Sequence, residues 1–375
     1  MPLHPGKAPR WLIKRMGALA ECIFDVILDE YGPMELLTRI SDPFWFQSLA
    51  CVLGYDWHSS GTTTVLTGVM RTVLDTEKHH MAVAGGKGKR SKRTPYDLER
   101  IGASFDFSLA KVATLRRVSR LIAKVDNAAI QDGYHLYHHT MIVADTGDWA
   151  VIQQGMSDLD KSARRYHWLS TDVKNFVANT GEKIACNFVR NNVLDMTAGG
   201  SEAARNAAVD LISDDPTTLK RLYTSLAKSH RPKDQTSLDR WLIGPELDRS
   251  ERVLHMPWRI NWEALQTAYE LQLNNFEGLL LVSGVGPATI RGLALMAEVI
   301  WGTPASWQDP CKFAFAVGGK DGLPFPVDRQ AMDQTIQLLR QGIEDSKMGK
   351  KQSLKALERL GAFIKRLDEP GDLSG

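Results

Sequence analysis

Between Tyr134 and Gln154, two runs of strand-forming residues flank Asp145-Thr146-Gly147-Asp148, and that turn composition predicts an antiparallel hairpin. It places a sheet in a chain whose other patterns are mainly helical. With four residues in the turn, Thr140 falls opposite Gln153 and His139 opposite Gln154, so polar side chains gather away from the turn. Neighbours on a strand point to opposite faces, so His138 and His139 diverge and at most one enters a given pocket.

Elsewhere the period is helical. Leu12, Met16, Leu19, Ile23, Val26 and Ile27 predict an amphipathic helix from Pro9 to about Glu30, ended by Gly32-Pro33. A helix is expected through Val65, Leu66, Val69, Val73 and Leu74, and others over Leu109–Ala128, Glu202–Ile212 and Leu219–Ala227. Leu354, Leu357, Leu360, Ile364 and Leu367 mark one face of a last helix, and Met81–Ala84 reads as a short strand. The polar stretch Lys228–Asp239, with Pro232, reads as a linker, dividing the chain into an α+β unit at 1–240 and a helical part at 241–375. The expected fold class is therefore α+β, predominantly helical, with a small sheet in residues 40–170.

The chain has 375 residues, 43% hydrophobic and 24% charged, which fits two or three globular cores and excludes disorder and collagen-like repeats. No segment reads as a signal peptide or membrane span, and Cys22, Cys51, Cys186 and Cys311 form no C-x-x-C pair. A soluble cytoplasmic protein without disulfides is expected. The net charge of +2 excludes little, but the charge is unevenly placed: residues 85–124 hold eleven Lys and Arg against three Asp and Glu.

Four constellations can carry chemistry. Leu280-Leu281-Val282-Ser283-Gly284-Val285-Gly286-Pro287-Ala288-Thr289-Ile290-Arg291 resembles a helix-hairpin-helix element, in which a glycine turn offers backbone N–H groups at a helix N-terminus to a phosphate; Gly284, Gly286, Thr289 and Arg291 are its candidate contacts. The same turn also suits two packed core helices. A glycosylase would pair such a hairpin with a downstream Asp, here Asp309. In Gly85-Gly86-Lys87-Gly88-Lys89-Arg90-Ser91-Lys92-Arg93, the cations Lys87, Lys89, Arg90, Lys92 and Arg93 can follow a phosphate backbone or form a solvated loop. The basic helix with Arg116, Arg117 and Arg120 adds to that site if it faces the same way.

Six of the ten histidines lie between residues 58 and 139, and His167 follows. Asp56, His58, His138, His139 and Gln153 can hold a divalent ion such as Mg or Mn, or perform metal-free acid/base chemistry. In Ala163-Arg164-Arg165-Tyr166-His167-Trp168, Arg164, Arg165 and His167 can stabilise phosphate charge, or the arginines can pair with carboxylates while the aromatics fill a core. Ser59-Ser60-Gly61-Thr62-Thr63-Thr64 reads first as a helix cap.

Asp56-Trp57-His58-Ser59-Ser60-Gly61, Ala84-Gly85-Gly86-Lys87-Gly88, Gln153-Gln154-Gly155-Met156, Arg164-Arg165-Tyr166-His167-Trp168 and Gly318-Gly319-Lys320-Asp321-Gly322 together resemble the prokaryotic, largely archaeal family numbered 763 among domains of unknown function. The likeness spans nearly the whole chain and favours one integrated unit. It implies a hairpin-containing protein of DNA metabolism without supplying a mechanism. Ser91-Lys92-Arg93-Thr94 inverts the family's usual Ser-Arg-Lys-Thr order, and Trp258 stands where a second histidine is expected after His255.

The functional expectation is a DNA-acting enzyme, a repair-associated nuclease or phosphodiesterase. Asp56 or His58, His138 or His139, and the Arg164–His167 segment should then line one cleft. The competing readings are a non-catalytic DNA-binding module and a glycosylase.

Overall fold

The computed structural model describes residues 1, 3, 8–55, 59–178, 180, 183–186, 189–229, 256–257 and 259–314. Asp56, His58, His255, Trp258, the Gly318–Gly322 motif and the C-terminal leucine face lie outside the described residues.

Helix α1 (Arg10–Ser41) buries the expected stripe and breaks at Gly32, whose φ is +81°. The expected end at Gly32-Pro33 is thus a break, and Pro33 opens a second helical stretch that the sequence reading did not include. Next come α2 (Pro43–Val52) and α3 (Ser60–Val73), the latter held by a capping box between Ser59 and Thr62. Strand β1 (Met81–Lys87) outruns the short strand expected and leads through a 3-10 turn, Gly88–Arg93, into α4 (Thr94–Ser104) and α5 (Leu109–Lys124). A π turn, Val125–Ala129, precedes β2 (Ile130–Gln131), β3 (His135–Ala144), β4 (Trp149–Ser157), β5 (Ser162–Leu169), β6 (Ile184–Cys186) and β7 (Asn191–Asp195). The remainder comprises α6 (Glu202–Ser213), α7 (Pro216–Ser229), α8 (Trp262–Glu270), α9 (Phe276–Leu281), α10 (Pro287–Trp301), β8 (Ser306–Gln308) and β9 (Phe313–Ala314). The protein is α+β and predominantly helical.

Six strands form one sheet in the order β1-β3-β4-β5-β6-β9, antiparallel except for β6 with β9; β2, β7 and β8 form a second. The large sheet is covered on both faces. Met81, Val83, Ile142, Ala150, Ile152 and Leu169 pack with α1–α3, while Ala82, Met141, Val143, Val151 and Trp168 pack with α4, α5 and the later helices. Every residue of β5 is consequently buried, so its charged side chains must find partners inside the protein. The expected boundary near 240 lies outside the described residues, and helices before and after it share one apolar cluster through Leu211, Leu219, Leu265 and Leu293.

The hairpin forms with a register one residue away from the expected one: His139 faces Gln153, and His138 faces Gln154. Val143 pairs with Trp149, the Ala144 N–H donates to the Asp148 carbonyl at 2.9 Å, and Gly147 takes φ +84°. A left-handed glycine closes this short connection with a bulge, where four equivalent turn residues were expected.

Cys186 and Cys311, 125 residues apart, form a disulfide, correcting the expectation of unpaired thiols. Parallel pairing of β6 with β9 brings the two segments together, a proximity that sequence spacing does not encode. Cysteine spacing therefore gives no argument for a reducing compartment; among the described residues no helix is long and apolar enough to cross a membrane. Cys311→Ser is expected to lower the unfolding free energy by about 2–5 kcal/mol, the usual loss for a long cross-linked loop. Urea unfolding with and without a thiol reductant checks this, since reduction should cost the wild type, and not the variant, the same amount.

Candidate functional site

The two basic segments meet. Asp97, buried near the start of α4, accepts the Gly85 N–H at 3.0 Å and an Arg71 N–H at 3.2 Å, while Arg71 also donates to the Gly85 carbonyl at 2.7 Å. Gly85 has φ +83°, and a Cβ there would collide with the His139 carbonyl, so this crossing requires glycine. The end of β1 is thus pinned, with the 3-10 turn beyond it. Along α5, Val112, Leu115, Val118, Leu121 and Ile122 face the core and leave Arg116, Arg117 and Arg120 outside.

Lys92, the three α5 arginines, Ser119, Tyr137, His139, Gln153 and Leu281 line one cleft of about 540 Å³. Arg116 pairs with Glu99 at 2.6 Å and Arg117 with Glu277 at 3.1 Å, whereas Lys92 and Arg120 have no carboxylate partner among the described residues. The glycine turn is fastened to the end of α5 and to the segment after it. Lys124 of α5 donates to the Val285 carbonyl, and Gln131 donates to that of Pro287 at 2.8 Å.

His139 is 7% exposed and forms the inner end of the cleft, with Nε2 2.7 Å from Ser119 Oγ and Nδ1 2.7 Å from Gln153 Oε1. The Gln153 amide nitrogen donates to the Ile122 carbonyl at 3.4 Å and to Asp126, which also accepts Trp168 Nε1 at 2.8 Å. Burial pushes the Asp126 carboxyl up to about 8, and it pulls His139 below the ordinary imidazole range. On the opposite face His138 Nε2 lies 3.1 Å from Thr67 Oγ1 and 2.9 Å from Thr140 Oγ1, while its buried Nδ1 has no hydrogen-bond partner among the described residues. Burial, then His139 and Lys87, push its pKa down to about 3. Both imidazoles are neutral at pH 7.

The family model described as "Protein of unknown function (DUF763)" matches residues 1–327. The chain belongs to this family. No curated protein and no solved structure matches it.

This DUF763 chain does not bring all of its predicted site residues to the cleft. Arg164, fully buried, is bound by Asp132 at 2.9 Å and by both Asp309 oxygens at 2.9 and 2.7 Å. Burial alone would lower its pKa, and the two carboxylates outweigh that and raise it. Asp309 further accepts the N–H groups of Arg190 and Cys311, at 2.7 and 2.9 Å, so the residue considered for glycosylase chemistry is occupied by structural partners. Arg165, also fully buried, lies over the Phe46 ring at 4.5 Å and donates through Nε to His167 Nε2 at 2.8 Å. Burial pushes Arg165 down to about 9 and, with Arg165's charge second, His167 well below its usual value. These three residues sit on a strand covered on both faces and do not line the cleft.

In the glycine turn, Gly284 is the left-handed residue at φ +86°, whereas Gly286 is extended with open space where a Cβ would stand. Thr289 is buried in α10 and Arg291 is half-buried. Lys87, Lys89 and Arg93 are exposed beside the cleft, and Arg90 is drawn toward Asp97 at 3.9 Å.

A spacing compatible with a metal ion occurs elsewhere: the ligand atoms of Glu21, Asp25 and His79 lie within 4.8 Å of one another. Lys78 reaches Glu21 at 2.6 Å and Asp25 at 3.0 Å, supplying positive charge there. His79 Nδ1 accepts the Asp75 N–H at 3.1 Å, which puts its proton on Nε2, toward Asp25. An ion would have to displace both Lys78 and that proton.

The sequence reading missed Ser119 and Asp126. Val112, Leu115, Ser119, Ile122 and Asp126 recur at three- and four-residue spacing, so two polar side chains occupy the stripe that should be apolar. That was the available signal.

Proposed function

We propose that this chain binds nucleic acid, DNA in the first instance, in the cleft between the basic turn and α5. There it acts on the phosphodiester backbone as a repair-associated nuclease or phosphodiesterase. The observation that carries the reading is that Lys92 and Arg116, Arg117 and Arg120, from separate sequence segments, line the same cleft as the hydrogen-bonded pair Ser119 and His139. Clustered cations displace counterions from a phosphate backbone, and a neutral buried imidazole can take a proton at pH 7. The turn between α9 and α10, read as a helix-hairpin-helix, would extend the backbone contact along the rim. The described lining of the cleft offers no carboxylate to hold a Mg or Mn ion, so an ion there would be carried on the phosphate and would act as a Lewis acid.

A non-catalytic DNA-binding module is the second reading, favoured by the burial of Arg164, Arg165 and His167 away from the cleft. One incubation series separates the two: end-labelled single-stranded, duplex, damaged and branched DNA, plus RNA, with Mg²⁺, Mn²⁺ or EDTA. Strand breaks without alkali support the enzyme, and salt-dependent binding without breaks supports the module. Lys92→Ala combined with Arg120→Ala should weaken duplex binding at least tenfold and reduce the log–log salt slope by about 2, one counterion term per lost phosphate contact. Unchanged affinity and slope in the folded variant would remove this cleft from the interface.

A further inference from the structure

The hydrogen bonds around His139 fix where its proton lies. The Ile122 carbonyl can only accept, so the Gln153 amide nitrogen faces it and Gln153 Oε1 is left to accept from His139. His139 therefore carries its proton on Nδ1 and turns the Nε2 lone pair toward Ser119, 2.7 Å away. The Ser119 hydroxyl donates into that lone pair. Nucleophile, base and orienting group thus stand in sequence, and Asp126 and Ile122 hold the orienting amide from behind.

We propose that Ser119 is a catalytic nucleophile, activated by His139 and positioned through Gln153, that attacks a DNA phosphodiester held by the cleft's cations. This rests on the reading of the cleft as a DNA site. Ser119 Oγ bonds to phosphorus as its proton passes to His139 Nε2. The bond from phosphorus to the leaving sugar oxygen, on the face opposite Ser119, breaks, and that oxygen takes a proton from solvent while His139 keeps the one it received. One strand end is then esterified to Ser119 and the other bears a free hydroxyl. A water molecule then attacks the phosphoserine ester from the side the sugar left and gives its proton to solvent, and Ser119 departs with the proton held by the His139 imidazolium. Arg120 and Lys92 are the cations placed to offset charge on the non-bridging oxygens.

Two readouts separate this step from the binding on which it rests. An alkyl fluorophosphonate, which reports an activated serine without any need for DNA, should label the Ser119 peptide of the wild type by mass spectrometry. Labelling should fall at least a hundredfold in His139→Gln, the usual worth of a positioned base being about 10²–10⁴. End-labelled DNA quenched in detergent should give a protein–DNA adduct with the wild type and with Ser119→Cys. Ser119→Ala should give none while keeping wild-type DNA affinity and thermal midpoint. No fluorophosphonate labelling at Ser119 overturns the activated hydroxyl. Labelling without an adduct, in a protein that binds DNA, overturns the phosphodiester step. Labelling without DNA affinity overturns the cleft's assignment to DNA and the phosphodiester step with it, while supporting the activated serine. Scission by Ser119→Ala at the wild-type rate overturns the nucleophile outright.

Discussion

Arg164→Met is expected to lower the unfolding free energy by about 3–5 kcal/mol, because it strands two buried carboxylates, Asp132 and Asp309, without their shared cation. The side chain is fully buried and its partners lie 32 and 145 residues away, so the triad ties β5 to the turn before β3 and to the segment beyond β8. Tyr166 donates to the same Asp132 oxygen at 2.6 Å and would be left against an uncompensated charge. Adding Asp132→Asn and Asp309→Asn should recover much of the loss, since neutral amides need no counter-ion. Urea unfolding at pH 7 measures both variants. If Arg164 served a bound phosphate, Arg164→Met would keep its stability and lose DNA affinity, the opposite pattern.

The second large effect is a pH dependence. Asp126 titrates near its ordinary value of 3.8 when unfolded and at about 8 when buried, so between those limits the folded state holds a proton that the unfolded state has released. Raising the pH then removes stability, by up to about 1.4 kcal/mol per unit, until the folded carboxyl ionises near pH 8. His138 runs the other way. Its folded pKa of about 3 lies under the ordinary 6.5, so stability rises with pH between those values, and buried His139 and His167 add in the same direction. The buried Met1 amine, lowered from 8.0 to about 4, also adds stability as pH rises, so the net wild-type profile sums opposed contributions and the comparison that isolates Asp126 is with Asp126→Asn. Asp126→Asn keeps acceptors for Gln153 and Trp168 without a titrating proton. The stability difference between wild type and variant should shift steadily against the wild type from pH 4 to 8. A difference flat across that range would show that Asp126 does not hold a proton in the folded state.

Helical periodicity and turn composition were enough to place α1, α3, α5, α6, α7 and the β3–β4 hairpin, because each is set by local spacing and by glycine or capping chemistry. Gly32 marked the break in α1, and Ser59 capped α3 as its composition suggested. The divergence of His138 and His139 was legible for the same reason, since a strand alternates whatever covers it. Their partners were not. One residue of slip at Gly147 changed which glutamine faced which histidine, and only the closed turn fixes that.

The arrangement of charges divides the same way. The sequence by itself determined that residues 85–124 carry a basic surplus, that α5 is amphipathic, and that two polar residues interrupt its apolar stripe. Only the tertiary structure decided that the basic turn and α5 share a cleft, that Ser119 meets His139, and that Arg164 and Arg165 turn inward. The physical reason lies in the covering of the sheet. Arg164-Arg165 on a strand with one wet face would present a cation to solvent, but β5 has helices on one side and strands, loops and helices on the other. A buried charge is held by partners brought from far along the chain, and no local pattern in the amino-acid sequence names them.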